Sequence, residues 1–232
     1  MMPNVSHNER VAIGIGANHS VSGLFARPSG ARATYVLAHG AGAGMEHPSM
    51  HAVAAGLAER GIATLRYQFP YMERKSRRPD PPALCHATVR AAVAEATRLG
   101  PDLPLFAGGR SFGGRMTSQA QAQTALERVR GLAFLAFPLH PAERPGTDRA
   151  THLQQVQIPM LFIQGTRDEL ADLSLLRPVV AGLGARARLH LLEDADHSFH
   201  VPARTGRKDC EVQADALDTL CSWLEIAKLR CA

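Results

Sequence analysis

One stretch limits what this chain can become: Leu105-Phe-Ala-Gly-Gly-Arg-Ser-Phe-Gly-Gly-Arg115. It opens as a short apolar run with the length and borders of a buried strand. It breaks at Gly109-Arg110-Ser111-Phe112-Gly113 and passes into residues that can continue as a helix. This is a G-x-S-x-G element in a strand–turn–helix setting, where a serine sits on strained backbone and its hydroxyl projects above the sheet. Side chains at Gly109, Gly113 or Gly114 would collide there. The helix that follows brings its first N–H groups, that of Phe112 among them, to where a developing oxyanion would lie. Ser111 is therefore a candidate nucleophile. A glycine-rich turn with an incidental serine would look the same over five residues, so the rest of the chain has to separate the two.

The flanking pattern favours an α/β fold. Residues 11–15 and 21–26 are two short runs that predict an opening hairpin, and residues 1–10 are expected to be a flexible leader. Residues 33–38 are apolar nearly throughout, as expected for a strand covered on both faces, and 62–66, 105–109, 132–137, 159–164 and 187–192 are further segments of strand length. Helical periodicity lies between them: from Pro48 to the stop at Gly61, then 83–99, 112–127, from about Ser174, and 209–228. Pro178 is expected in the first turn of its helix. The segment 67–82 holds four prolines, Pro70, Pro79, Pro81 and Pro82, and is expected to lack regular structure. Alternation of this kind predicts one domain over 1–232: a mostly parallel sheet with an antiparallel N-terminal edge hairpin and helices on both faces. Segment 139–158 has little periodicity and about twenty residues, too few for a lid domain.

Ligands of such a sheet bind past the carboxyl ends of the strands. Past 33–38 comes His39-Gly40-Ala41-Gly42, past the central strand Ser111, past 159–164 Asp168, and past 187–192 His197. All four positions fall on one edge, and the order Ser…Asp…His is that of an α/β-hydrolase triad. In that reading His197 takes the Ser111 proton and returns it to the leaving group, Asp168 fixes the imidazole tautomer, and the N–H groups of Phe112 and Ala41 bind the oxyanion. Asp194, Asp196 and Glu169 are rival acids, with Asp196 poorly placed because it adjoins His197. His39 is read as a brace for the oxyanion loop, and His47 and His51 as surface residues. Gly40, Gly42, Phe69, Tyr71 and Met72 are candidates for contact with substrate, the last three as walls of an acyl pocket.

Composition removes other classes. The net charge of +5 is spread along the chain, and its densest run, residues 74–78, lacks the aromatic interleaving of a nucleic-acid surface. No apolar stretch predicts a signal peptide or a membrane span. Cys85, Cys210, Cys221 and Cys231 form no C-x-x-C pair and are read as free thiols of a reducing cytoplasm. No H-E-x-x-H or similar spacing suggests a metal, and no cofactor is expected.

The stretches Leu37-Ala-His-Gly-Ala-Gly-Ala-Gly44, Phe69-Pro-Tyr-Met72, Gly108-Gly-Arg-Ser-Phe-Gly-Gly-Arg115 and Asp196-His-Ser-Phe199 together resemble the α/β-hydrolase superfamily. More narrowly they are similar to its dienelactone-hydrolase-like branch, which includes bacterial relatives of the testis-expressed and chromatin-complex hydrolase-like proteins. The resemblance implies the triad Ser111, Asp168 and His197. It departs at the nucleophile, a cysteine in characterised dienelactone hydrolases. The expected function is a cytoplasmic serine hydrolase of small esters or thioesters. The alternatives are an interaction module that keeps the fold without the chemistry, and a small peptidase. No membrane or nucleic-acid partner is expected, and the oligomeric state is left open.

Overall fold

The computed structural model describes residues 7–16 and 19–229. An eight-stranded sheet runs through it in the order β1-β2-β4-β3-β5-β6-β7-β8. The strands are β1 (His7–Ile15), β2 (His19–Arg27), β3 (Ala33–Ala38), β4 (Ile62–Tyr67), β5 (Leu105–Arg110), β6 (Val129–Leu135), β7 (Met160–Gly165) and β8 (Ala187–Leu192). β1 pairs antiparallel with β2, and β2 antiparallel with β4; every pairing from β4 to β8 is parallel. The antiparallel edge hairpin and the parallel body agree with the sequence pattern. β1 begins at His7, so residues 7–10 belong to the sheet rather than to a flexible leader; residues 1–6 lie outside the described residues.

Six helices cover the sheet: α1 (Pro48–Glu59), α2 (Pro70–Glu73), α3 (Pro82–Leu99), α4 (Phe112–Gln123), α5 (Leu173–Gly182) and α6 (Asp209–Leu229). α1 and α6 pack on one face, burying Met50, Leu57, Leu217 and Leu220 against Tyr35, Leu37 and Phe106. α3, α4 and α5 pack on the other, burying Val89, Met116 and Leu176 with Phe134 and Phe162. Every residue of β3, β4 and β7 is buried, the polar Thr34, Thr64, Arg66 and Gln164 included, as in parallel strands covered on both faces.

Four local expectations need correction. Segment 67–82 contains the short helix α2, because Pro70 at its first position suits a helix start while the remaining prolines come later. α4 stops at Gln123 rather than 127: the Gln121 side chain takes the N–H of Leu126 at 2.8 Å, and Leu126 turns into the core. Pro178 is the sixth residue of α5, in its second turn rather than its first; it is exposed there, so the carbonyl it strands at Ser174 faces water. Within 139–158, Asp148–Gln155 forms a 3-10 helix whose Ala150 and Leu153 are buried.

Candidate active site

The site forms where β3, β5, β7 and β8 end. Ser111 occupies the single residue between β5 and α4, with φ 49° and ψ −118°, a backbone state costly for any residue with a side chain. Close packing forces it. Gly109 has φ 152°, and a Cβ there would meet Ala38 O at 2.3 Å; at Gly113 it would meet His39 O at 2.5 Å. The Ser111 N–H donates to Leu135 O at 2.9 Å, which pins the elbow to β6.

The acid arrives on the loop after β7. Gly165 makes this possible, since a Cβ there would lie 2.3 Å from Ala195 O of the neighbouring loop. The Asp168 side chain is wholly buried and accepts from Leu170 N at 2.8 Å, from Gln164 Nε2, and from His197 Nδ1 at 2.8 Å. A buried carboxylate can only accept, so Nδ1 carries the imidazole proton and Nε2 is left as an acceptor. Ser111 Oγ lies 2.8 Å from that Nε2 and is its donor. Three side chains from three loops thus form one hydrogen-bonded line.

The bond to His197 Nδ1 goes to Asp168 and to none of the rival acids. Asp196 Oδ1 accepts from Ser198 N at 2.7 Å and His200 N at 3.0 Å, closing the histidine loop on itself. Glu169 is exposed, and Asp194 stands at a turn with φ 58°. His190 and His200 pair with Asp215 and Asp209, both at 2.9 Å.

Residues 40–43 make a tight turn closed by Ala43 N to Gly40 O at 3.3 Å. This bond leaves the N–H of Ala41 unused by the turn. Phe112 is the first residue of α4, so its N–H has no intrahelical partner either. An added Cβ at Gly40 would lie 3.9 Å from Ser111 Cβ, so the turn runs directly beside the serine; Gly42 faces open space. His39 braces the turn from below: its ring is fully buried, Nδ1 donates to Gly40 O at 2.7 Å, and Nε2 accepts from Phe69 N at 3.0 Å. Burial holds the imidazole neutral by pushing its pKa down to about 4.

The expected acyl-pocket walls are elsewhere. Phe69 and Tyr71 have no exposed surface and pack among His39, Tyr67 and Phe112 as core. Met72 packs against the same core, half-buried. The aromatic run past β4 is used to build the floor of the site. Tyr71 has a different link to it, because its hydroxyl donates to Ala41 O at 2.9 Å. The cavity that does open at Ser111 has a volume of about 410 Å³, and its lining includes Ala41, Phe112, Arg115, Met116, Pro138 and Arg149. Two arginines of the elbow motif had no role assigned from sequence. Arg110 donates to His197 O at 3.2 Å and stacks 5.0 Å above the Phe199 ring, holding the histidine loop in place. Arg115 stands on the cavity wall.

Among the described residues no group of three or more His, Cys, Asp or Glu is placed to hold a metal ion, and no helix is long and apolar enough to cross a membrane. Cys85, Cys210 and Cys221 are free thiols; Cys231 lies outside the described residues.

The family described as "Alpha/beta hydrolase domain" matches residues 31–225. The chain belongs to the alpha/beta hydrolases. Solved structures of this fold superpose over nearly the whole molecule. Dienelactone hydrolase from Anabaena variabilis has a TM-score of 0.74 at 22% identity, over 95% of this chain and 97% of that one. An alpha-beta serine hydrolase homologue from Coxiella burnetii has a TM-score of 0.74 at 21% identity, over 93% and 99%. An α/β serine hydrolase without a lid from Xanthomonas campestris has a TM-score of 0.71 at 23% identity, over 91% and 92%. This alpha/beta hydrolase shares their fold. Its β6–β7 connection, with only a 3-10 helix in it, likewise adds no lid domain.

Proposed function

We propose that this protein is a serine hydrolase that cleaves small carboxylic esters or thioesters through an acyl-enzyme. The observation that carries the reading is His197, which stands 2.8 Å from Ser111 Oγ through one ring nitrogen and 2.8 Å from the Asp168 carboxylate through the other.

The steps follow from that line. A neutral serine hydroxyl is a weak nucleophile. As Ser111 Oγ attacks the substrate carbonyl, its proton passes to His197 Nε2, and the carbonyl π electrons move onto oxygen. The imidazolium formed is stabilised by the buried Asp168 carboxylate, which stays ionised. In this reading the N–H groups of Ala41 and Phe112 donate to the new oxyanion; each such donor is worth on the order of 3 kcal/mol in the transition state. Collapse breaks the bond to the alcohol or thiol, which leaves with the proton held by His197. Water then attacks the acyl-Ser111 carbonyl with His197 again as base, releasing the acid and restoring the serine.

A fluorophosphonate probe tests this directly. Wild-type protein should be labelled stoichiometrically and the Ser111→Ala variant not at all. Failure to label folded wild-type protein, with no turnover of aryl esters, overturns the reading.

A further inference from the structure

We propose that Arg115 and Arg149 hold a carboxylate of the substrate inside the cavity beside Ser111, so that the preferred ester or thioester is a monoanion. The inference rests on the serine-hydrolase reading of the same site and names its substrate class.

Both arginines line the cavity of about 410 Å³ that Ser111 and Ala41 also line. Arg115 lies one turn into α4, its N–H bonded to Ser111 O at 3.1 Å, so its side chain is anchored next to the nucleophile. Its Nε is buried and has no hydrogen-bond partner. The Phe112 ring lies 5.8 Å from its guanidinium carbon. Arg149 comes from the 3-10 helix across the cavity and is half-buried. Neither side chain has a hydrogen bond or an acidic partner among the described residues. Elsewhere on this molecule the pattern differs: Arg27 pairs with Asp102 at 2.7 Å and Arg60 with Asp218 at 2.6 Å.

Two unpaired cations on one partly desolvated wall are costly unless something supplies the missing charge. Burial first, and the charge of Arg149 second, push the Arg115 guanidinium below its usual range. Asp80 also lines the cavity but is already occupied: it accepts from Tyr71 N at 2.6 Å and pairs with Arg74. With Asp80 matched by Arg74, the charge left on the wall is that of Arg115 and Arg149. One carboxylate set between the two guanidiniums meets both. The planar oxygens of a carboxylate match the fork of a guanidinium, and a cavity of this size admits a short acyl or alcohol chain that carries one.

The test compares kcat/KM for 4-nitrophenyl hemiglutarate with that for 4-nitrophenyl valerate, in which a methyl replaces the carboxylate. A second pair, 4-acetoxybenzoate and 4-tolyl acetate, places the charge on the leaving group instead. Wild-type protein should favour the anion by about tenfold or more in one pair, and Arg149→Gln and Arg115→Gln should each cut that ratio by about tenfold. Arg149→Lys should retain part of it. Arg144→Gln, which removes an exposed charge outside the cavity, should leave the ratio as it is. If Ser111 is labelled and esters are cleaved, but neither pair shows an anion preference that depends on Arg115 and Arg149, the anion site is overturned and the hydrolase reading stands. If no ester is cleaved and Ser111 does not label, calorimetric titration with monomethyl glutarate decides: binding that weakens about tenfold in Arg149→Gln supports the site, and equal binding or none overturns it.

Discussion

Position 168 holds a carboxylate with no exposed side-chain surface and donors from Leu170, Gln164 and His197 directed at it. Asparagine there has one acceptor oxygen and an amide that only donates. If the amide faces His197, Nδ1 must accept, the proton moves to Nε2, and Ser111 loses its base. If it faces Leu170 or Gln164 instead, two donors meet in a dry site. Asp168→Asn should lower kcat for an aryl ester by on the order of 10⁴ while the protein stays folded by circular dichroism. His39 makes a different prediction, on stability. Both ring nitrogens are used in the neutral form, and burial lowers the folded pKa to about 4. The unfolded chain takes up the same proton near pH 6.5. Above that pH both states are neutral and the full contribution is present. From pH 6.5 down to about 4 only the unfolded chain gains a proton, so stability falls by about 1.4 kcal/mol per pH unit; below about 4 the loss levels off. Urea titrations should show this decline, shallower in His39→Gln. It will not vanish, because burial also holds His152 neutral to about pH 4.

The elbow is the element in which sequence and geometry correspond most closely. Glycines at 109 and 113 are demanded by backbone atoms at the end of β3 and just past it, Ala38 O and His39 O, at 2.3 Å and 2.5 Å from an added Cβ. A methyl group at 113 must push His39 and with it the turn at residues 40–43. Gly113→Ala should therefore cost about 3 kcal/mol or more in chemical denaturation, the upper part of the range for overpacking, and should lower activity even where it folds. The elements visible from sequence were of this kind: buried parallel strands with their apolar runs, helices bounded by Pro48, Gly61 and Gly100, and an elbow whose glycines report collisions. Elements set by side-chain competition were not. The early end of α4 depends on Gln121 reaching Leu126 N, and α2 depends on Asp80 capping Tyr71 N, neither of which leaves a periodic trace. Phe69 and Tyr71 show the same limit. Aromatic residues in a loop past a strand look like pocket walls, but burying their rings against His39 and Phe112 wins. The bond from the Tyr71 hydroxyl to Ala41 O and that from Arg110 to His197 O join segments far apart in the chain, and only packing reveals them.

At the scale of the molecule, the sheet order decides what the site can admit. Parallel strands β3, β5, β7 and β8 deliver their loops to one edge, and the longest connection without an α-helix on that edge runs from β6 to β7. Such a connection could carry a mobile cover; here it is tied down. Ala150 and Leu153 are buried, Ser118 Oγ and His152 Nε2 lie 2.8 Å apart, and Arg186 donates to the carbonyl of Val156 at its far end. The segment is a fixed wall that contributes Arg149, so the cavity at Ser111 is open without rearrangement. Enzymes whose sites are closed by a lid gain rate when a lipid–water interface opens it, and that step has no counterpart here. The rate on 4-nitrophenyl butyrate should saturate smoothly with concentration, and added micelles or an emulsified triglyceride should bring no jump at the phase boundary. A sharp rise at the critical micelle concentration would mean that segment 139–158 moves as a cover, against the buried contacts that hold it.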